Sequence, residues 1–195
     1  MDTGTVSLDR VDDDGTTPVA GRTSVATASD GNGFYGGVDV APGTFHVTVM
    51  PVGQAPYTSA CTTEITTGRV TTFDIAIDRA APSGTLAADP AVLWPPNHEM
   101  VTVTLSGDLA DVGTGLESVA FRVLDEYGTV EPSIEPLTGG GLTALAFSRT
   151  FELEASRGGD DRDGRTYTIE ATVADRACQK TTLRKTVVVP HDRRK

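Results

Sequence analysis

The chain has 195 residues, with 27 Asp and Glu against 16 Lys and Arg and a formal net charge of −11. A surface this acidic repels phosphate backbones and anionic bilayers, which argues against nucleic acid as a partner. No stretch approaches the roughly 20 apolar residues of a membrane span, so no membrane insertion is expected.

Taken in chain order, apolar residues alternate with period two through nearly the whole chain, and no segment of helical length carries a 3.6 period. "GTVSL", "RTSVATA" and "GFYGGVDV" open the first half, the last placing Phe34, Val38 and Val40 together. In "TFHVTVM", Phe45, Val47 and Val49 share one face and His46, Thr48 and Met50 the other. "YTSACTTEIT" puts Cys61 on an inward face with Tyr57 and Ile65. "RVTTFDIAID" predicts a closing strand with Phe73, Ile75 and Ile77 inward and Asp74 and Asp78 outward. "DDDG", "SDGNG" and "APG" supply the turns between these short strands. The small residues of "DRAAPSG" then break the pattern, which predicts a first domain over 1–79, a linker over 80–83 and a second domain over 84–195.

The second half has the same grammar. After a short strand around Leu86, the pattern buries Val101, Val103 and Leu105, then Val119, Phe121 and Val123. It continues through Leu145, Phe147, Phe151 and Leu153, with Arg149 interrupting the face. Tyr167, Ile169, Ala171 and Val173 follow, and the chain ends on Val187 and Val189. The run Thr138–Leu142, "TGGGL", reads as a hairpin-like connection. In "DGRTYTI", Tyr167 sits at the head of the sixth strand, where its ring can be buried while its hydroxyl bonds back to the preceding corner. That resembles the tyrosine corner of immunoglobulin-like domains. The prediction is all-β: two tandem β-sandwiches.

Residues 3–78, with "PVAG", "SDGNGFYGGVDVAPGTFHVTVMP" and "ITTGRVTTFDIAID", resemble the carboxypeptidase regulatory-like modules. That resemblance implies a transthyretin-like (prealbumin-like) sandwich grouped with carbohydrate-binding-like folds. Residues 84–194, with "LWPPNHEMVTV", "VLDEYGTV", "GDDRDGRTYTI" and "VVVPHDR", resemble an immunoglobulin-like module of bacterial secreted and surface proteins. One departure lies in the turn after the sixth strand, where such modules read Asp-x-x-Gly-Asn and this chain has "DRACQ". Neither resemblance brings a catalytic residue, and both imply accessory modules attached to extracellular hydrolases or adhesive proteins.

"LWPPNHEM", Leu93 to Met100, is the most distinctive short stretch. Pro95 and Pro96 fix two φ angles and donate no hydrogen bond, so strand pairing stops there. The structural expectation is a rigid corner with Trp94 capping the core. The functional alternative makes Trp94 a stacking platform for a sugar, flanked by Asn97, His98 and Glu99 as hydrogen-bonding partners. If the strands alternate up and down, His98 and Glu99 share a pole with His191 and Asp192, a set of imidazoles and carboxylates able to hold a transition metal. No HxH or HExxH spacing supports that set, so no metal is expected. The acidic runs Asp12–Gly15 and Gly159–Gly164 lack the spacing of a calcium loop and read as turns with at most weak calcium binding. No G-x-S-x-G elbow and no phosphate-cradling Gly loop is present. Cys61 and Cys178 could pair, but Cys61 reads as a core residue and two separate thiols are expected.

The expectation from sequence is therefore a non-enzymatic, monomeric accessory region without a cofactor, acting as a rigid spacer for neighbouring domains of a longer secreted or cell-surface protein. The alternative is a carbohydrate-binding module that docks an attached hydrolase on polysaccharide. "MDTGTVSLDR" has neither a basic n-region nor an apolar h-region, so the export signal is expected outside this chain.

Overall fold

The structure is a computed structural model that describes residues 4–11, 26–28, 35–36 and 40–191. The chain divides into two compact units, residues 1–79 and 80–195. Among the described residues every strand pairs antiparallel with its neighbours in three sheets, and no helix forms.

In the first unit, β1 (Thr5–Val11), β2 (Ala26–Ala28), β3 (Gly43–Met50) and β4 (Tyr57–Ile65) make one sheet in the order β2-β1-β3-β4. The expected alternation buries Phe45 and Val47 on β3 and Tyr57 on β4, while Met50 is 49% exposed; on β1 Val6 and Val11 are buried. Phe34 and Val38 lie outside the described residues, and Val40 is half-buried. The expected closing strand over 69–78 does not form. Phe73 and Ile75 are half-buried, but Ile77 is exposed and Asp78 buried, the reverse of the predicted faces for the last two. Alternation reports which side chains are apolar; a strand also needs a partner edge for its backbone groups. Here a side-chain hydroxyl takes one of them, Tyr35 donating to the Phe73 carbonyl.

The described residues of the second unit form seven strands: β5 (Ser83–Asp89), β6 (Met100–Ala110), β7 (Leu116–Asp125), β8 (Leu137–Leu142), β9 (Ala144–Glu154), β10 (Arg165–Asp175) and β11 (Lys180–Val189). They form a three-stranded sheet, β5-β6-β9, and a four-stranded sheet, β11-β10-β7-β8. Inward side chains of both sheets share one core, with Val103, Leu105 and Leu153 from the first and Val119, Ile169 and Val187 from the second. β10 alternates strictly along its eleven residues, with Tyr167, Ile169, Ala171 and Val173 at 0% exposure. Phe121 and Phe147 meet across the layers with ring centroids 5.4 Å apart.

The two sheets are joined at an edge by the segment after β5. Beyond Asp89 the chain leaves β6 and crosses to the other sheet, where Val92 bridges Val188 in parallel. Leu93 N donates to Val188 O at 2.9 Å, and Val188 N donates to Ala91 O at 3.0 Å. This crossing settles which residue plugs the core. Leu93 is 1% exposed and Trp94 is 38% exposed, so the expected cap is supplied by the leucine and the indole faces outward. Side chains alternate along the bridged segment, and the neighbour of a buried residue points away from the core.

The glycine run also differs from expectation. Thr138–Leu142 is part of β8, an edge strand paired with β7, and the chain passes to the other sheet at Thr143. A Cβ at Gly139 would lie 2.3 Å from Leu116 O, so the close approach of the two backbones requires glycine there.

The plug assignment predicts unequal costs at adjacent positions. Leu93→Ala should lower the stability of the second unit by about 2–5 kcal/mol. Trp94→Ala should cost markedly less, with urea unfolding of both variants as the measurement.

Candidate functional site

The Trp94 corner stands beside a buried cation. Arg165, the first residue of β10, is 1% exposed although it carries a full charge. Its partner is Asp125, the last residue of β7, whose side chain is fully buried. The pair is bidentate: Arg165 Nε donates to Asp125 Oδ1 at 2.8 Å and Nη2 to Oδ2 at 2.6 Å. Nη2 also donates to Thr129 Oγ1 and Nη1 to Ser156 Oγ, both at 2.7 Å. The guanidinium lies between two aromatic rings, 4.8 Å from the centroid of Tyr127 and 4.7 Å from that of Tyr167. A planar, weakly hydrated cation is the side chain best suited to such a slot.

Local sequence builds the acceptor. After Asp125 the chain turns tightly, with Gly128 N donating to Asp125 O and Gly128 at a φ of +64°. The turn aims the backbone N–H groups of Tyr127, Thr129 and Val130 at the Asp125 carboxylate. Burial alone would raise the pKa of Asp125, but Arg165 and these N–H groups hold it well below the usual carboxylate range.

Glu154, the last residue of β9, links this clasp to the corner. Its Oε2 lies 3.5 Å from Arg165 Nη1 and its Oε1 3.1 Å from His98 Nδ1. His98 and Arg165 both favour the ionised carboxylate, and its pKa is lowered against the effect of burial. The Glu154 carbonyl accepts the Tyr167 hydroxyl at 2.9 Å, so Tyr167, with its ring buried, bonds back across the β9–β10 connection to the end of β9. Burial pushes the Tyr167 pKa up to about 12, with Arg165 acting in the opposite direction.

The four residues of the expected sugar platform are all exposed. His98 takes a left-handed φ of 64°, its N–H bonds Ala155 O, and Ala155 N bonds Glu99 O, which zips the corner to the end of β9. Asn97 Oδ1 accepts the Glu99 N–H at 3.2 Å. His191 accepts Arg157 Nη2 at its carbonyl, and Asp192 lies outside the described residues. Among the described residues, His98, Glu99 and His191 do not converge as a set of three ligand atoms. The acidic run Asp12–Gly15 lies outside the described residues. In the other run, Asp161 accepts the Gly164 N–H and the Tyr127 hydroxyl, which serves turn geometry. Neither Cys61 nor Cys178 is a free thiol, so the expectation of two separate thiols is corrected. Cys178 holds a φ of 62°, the left-handed conformation that the Gly of the resembled turn would adopt.

The expectations from sequence missed Arg165, Asp125 and Tyr127 as a unit. Arg165 and Asp125 are forty residues apart, so no local spacing joins them. The signals were present only as the motifs "VLDEYGTV" and "GRTYTI".

No protein-family model matches the chain, and no curated protein matches it.

Two outcomes follow from the clasp. Asp125→Ala deprives a buried guanidinium of its bidentate partner, leaving only the longer contact to Glu154, and should cost about 3–5 kcal/mol by denaturant unfolding. Because the Asp125 pKa is depressed in the fold, the unfolded chain takes up that proton first. The stabilisation is present above the unfolded value near 3.8 and is lost as the pH falls below it. Tyr167 has the opposite sense: the unfolded chain releases its proton near pH 10, so stability should decline between about 10 and about 12. In Tyr167→Phe that alkaline component should be absent from the melting profile.

The thiols can be counted by mass. Alkylation of the denatured, unreduced chain should add no label, and alkylation after reduction should add two.

Proposed function

We propose that the chain is a non-catalytic accessory region of a bacterial secreted or cell-surface protein, with its second unit acting as a rigid spacer. The observation that carries this reading is where the chain enters and leaves that unit. β5 begins at Ser83, opposite Ala110 at the end of β6, whereas β11 ends at Val189, opposite Arg165 at the start of β10. The two points lie at opposite ends of the strands. An eleven-residue strand spans about 35 Å at ~3.3 Å per residue, so each such unit adds that much reach.

The pairing of Ala91–Leu93 with Val188 suits the role. Tension on the two ends loads these parallel hydrogen bonds along the strands, in shear, rather than opening them one at a time. An immunoglobulin-like arrangement is supported by the two sheet orders, by the parallel crossing onto β11 and by the Tyr167 hydroxyl bond. For the first unit, the resemblance to carboxypeptidase regulatory-like modules carries the transthyretin-like reading. The absence of free thiols favours an oxidising, extracytoplasmic location. Neighbouring domains of a longer protein are the partners this role calls for, and the unit acts as a monomer.

Single-molecule pulling of the chain from its two ends tests the reading. The second unit should resist and then unfold in one cooperative step, and Val188→Pro, which deletes the donor to Ala91 O, should lower the unfolding force. Extension without a distinct force peak would discard the spacer.

A second reading, carbohydrate binding, is favoured by the outward Trp94 with Asn97, His98 and Glu99 exposed around it. Apolar sugar faces stack on such rings. Retention on insoluble polysaccharides that is lost in Trp94→Ala would select this reading.

A further inference from the structure

The end of the second unit opposite the arginine clasp carries a different charge problem. There β6 gives way to the loop Asp111–Gly115, "DVGTG", and β10 to the turn beginning at Asp175. Asp111 is 3% exposed and Asp175 is 1% exposed. Asp111 Oδ2 accepts the N–H groups of Gly113 at 3.1 Å and Gly115 at 2.6 Å. Asp175 Oδ1 accepts the Gln179 N–H at 2.8 Å. The two segments are tied together, since Arg176 N donates to Gly115 O at 3.0 Å. Gly115 has a φ of +87°, and a Cβ there would meet Gly141 O at 2.4 Å, so the loop is held against β8.

This arrangement brings carboxylate oxygens of Asp111 and Asp175 within 4.8 Å of each other. With Oδ2 occupied by the loop, Asp111 Oδ1 is the oxygen left over, and it is sealed from solvent with no hydrogen-bond partner. A buried carboxylate oxygen beside a second buried carboxylate is unfavourable on two counts, lost hydration and like-charge repulsion. A cation between them relieves both.

We propose that Asp111 and Asp175 form a binding site for a divalent cation of the calcium type. All the donors are hard oxygens, which suits calcium or magnesium over zinc. Oxygens at this separation can both reach an ion at the calcium–oxygen distance of about 2.3–2.6 Å. Magnesium, with strict octahedral demands and a tightly held water shell, suits such a site less well. Two side chains fall short of the 6–8 ligands calcium takes, so backbone carbonyls and water complete the shell. A modest affinity is expected, in the range of about 10⁻⁴–10⁻³ M typical of extracellular modules. The site uses none of the residues of the acidic run Gly159–Gly164.

Melting of the full chain with EDTA and with millimolar CaCl₂ tests the site. Saturating calcium should raise the transition of the second unit by roughly 3–6 °C, and magnesium by less. Asp111→Asn keeps the shape of the side chain and an acceptor for the loop. It should melt at or above the parent temperature in EDTA and show no calcium response, the two signs that a purely structural Asp111 would not produce. Asp175→Asn should likewise lose the response, and serves if Asp111→Asn does not fold. A parent chain that gives neither a shift nor a calorimetric signal up to about 10 mM calcium overturns the proposal, as does an undiminished shift in the folded variants.

Discussion

The second unit depends on keeping one buried charge fully satisfied. Arg165 stands where β10 enters the core, and β7, the turn after it and the end of β9 all contribute to holding it. β7 supplies Asp125, the turn after β7 supplies Thr129 and Tyr127, β9 ends in Glu154, and Ser156 follows. A guanidinium out of water is tolerated only when its donors and its charge are matched in the same place. The clasp therefore specifies how the end of β7, the end of β9 and the start of β10 meet. A shift of one strand by a single residue would separate the acid from the base.

From that constraint the geometry of the corner follows. Glu154 faces Arg165 with one carboxylate oxygen and His98 with the other, and its carbonyl receives the Tyr167 hydroxyl. Leu93 seals the core at the edge where the chain crosses between sheets, which turns Trp94 outward. The segment that looks most like a binding motif is thus rigid for structural reasons and exposed as a by-product of the same packing. Rigidity serves either reading of the function, because a spacer and a preorganised sugar platform both require an immobile corner.

The opposite end of the unit handles charge differently. Asp111 and Asp175 are buried at loop and turn positions where backbone N–H groups stabilise part of each carboxylate. At the clasp the counter-ion is a residue of the chain. At the other end the chain supplies carboxylates in a form suited to an ion from solution. The two ends of one sandwich thus present two solutions to burying a carboxylate.

Period-two alternation made the strands of the second unit legible, because an eleven-residue strand such as β10 repeats its pattern often enough to exclude a helix. Tyr167 was legible for a similar local reason, standing at a fixed place relative to a strand start. Alternation failed at residues 69–78, where Phe73 and Ile75 keep the pattern without pairing, and in β8, where glycines carry no pattern at all. The pairing of Arg165 with Asp125, the outward turn of Trp94 and the meeting of Asp111 with Asp175 were decided only by tertiary structure. Side-chain periodicity is a property of neighbours along the chain, whereas partnership across a sandwich depends on strand order and register, which bring together residues tens of positions apart.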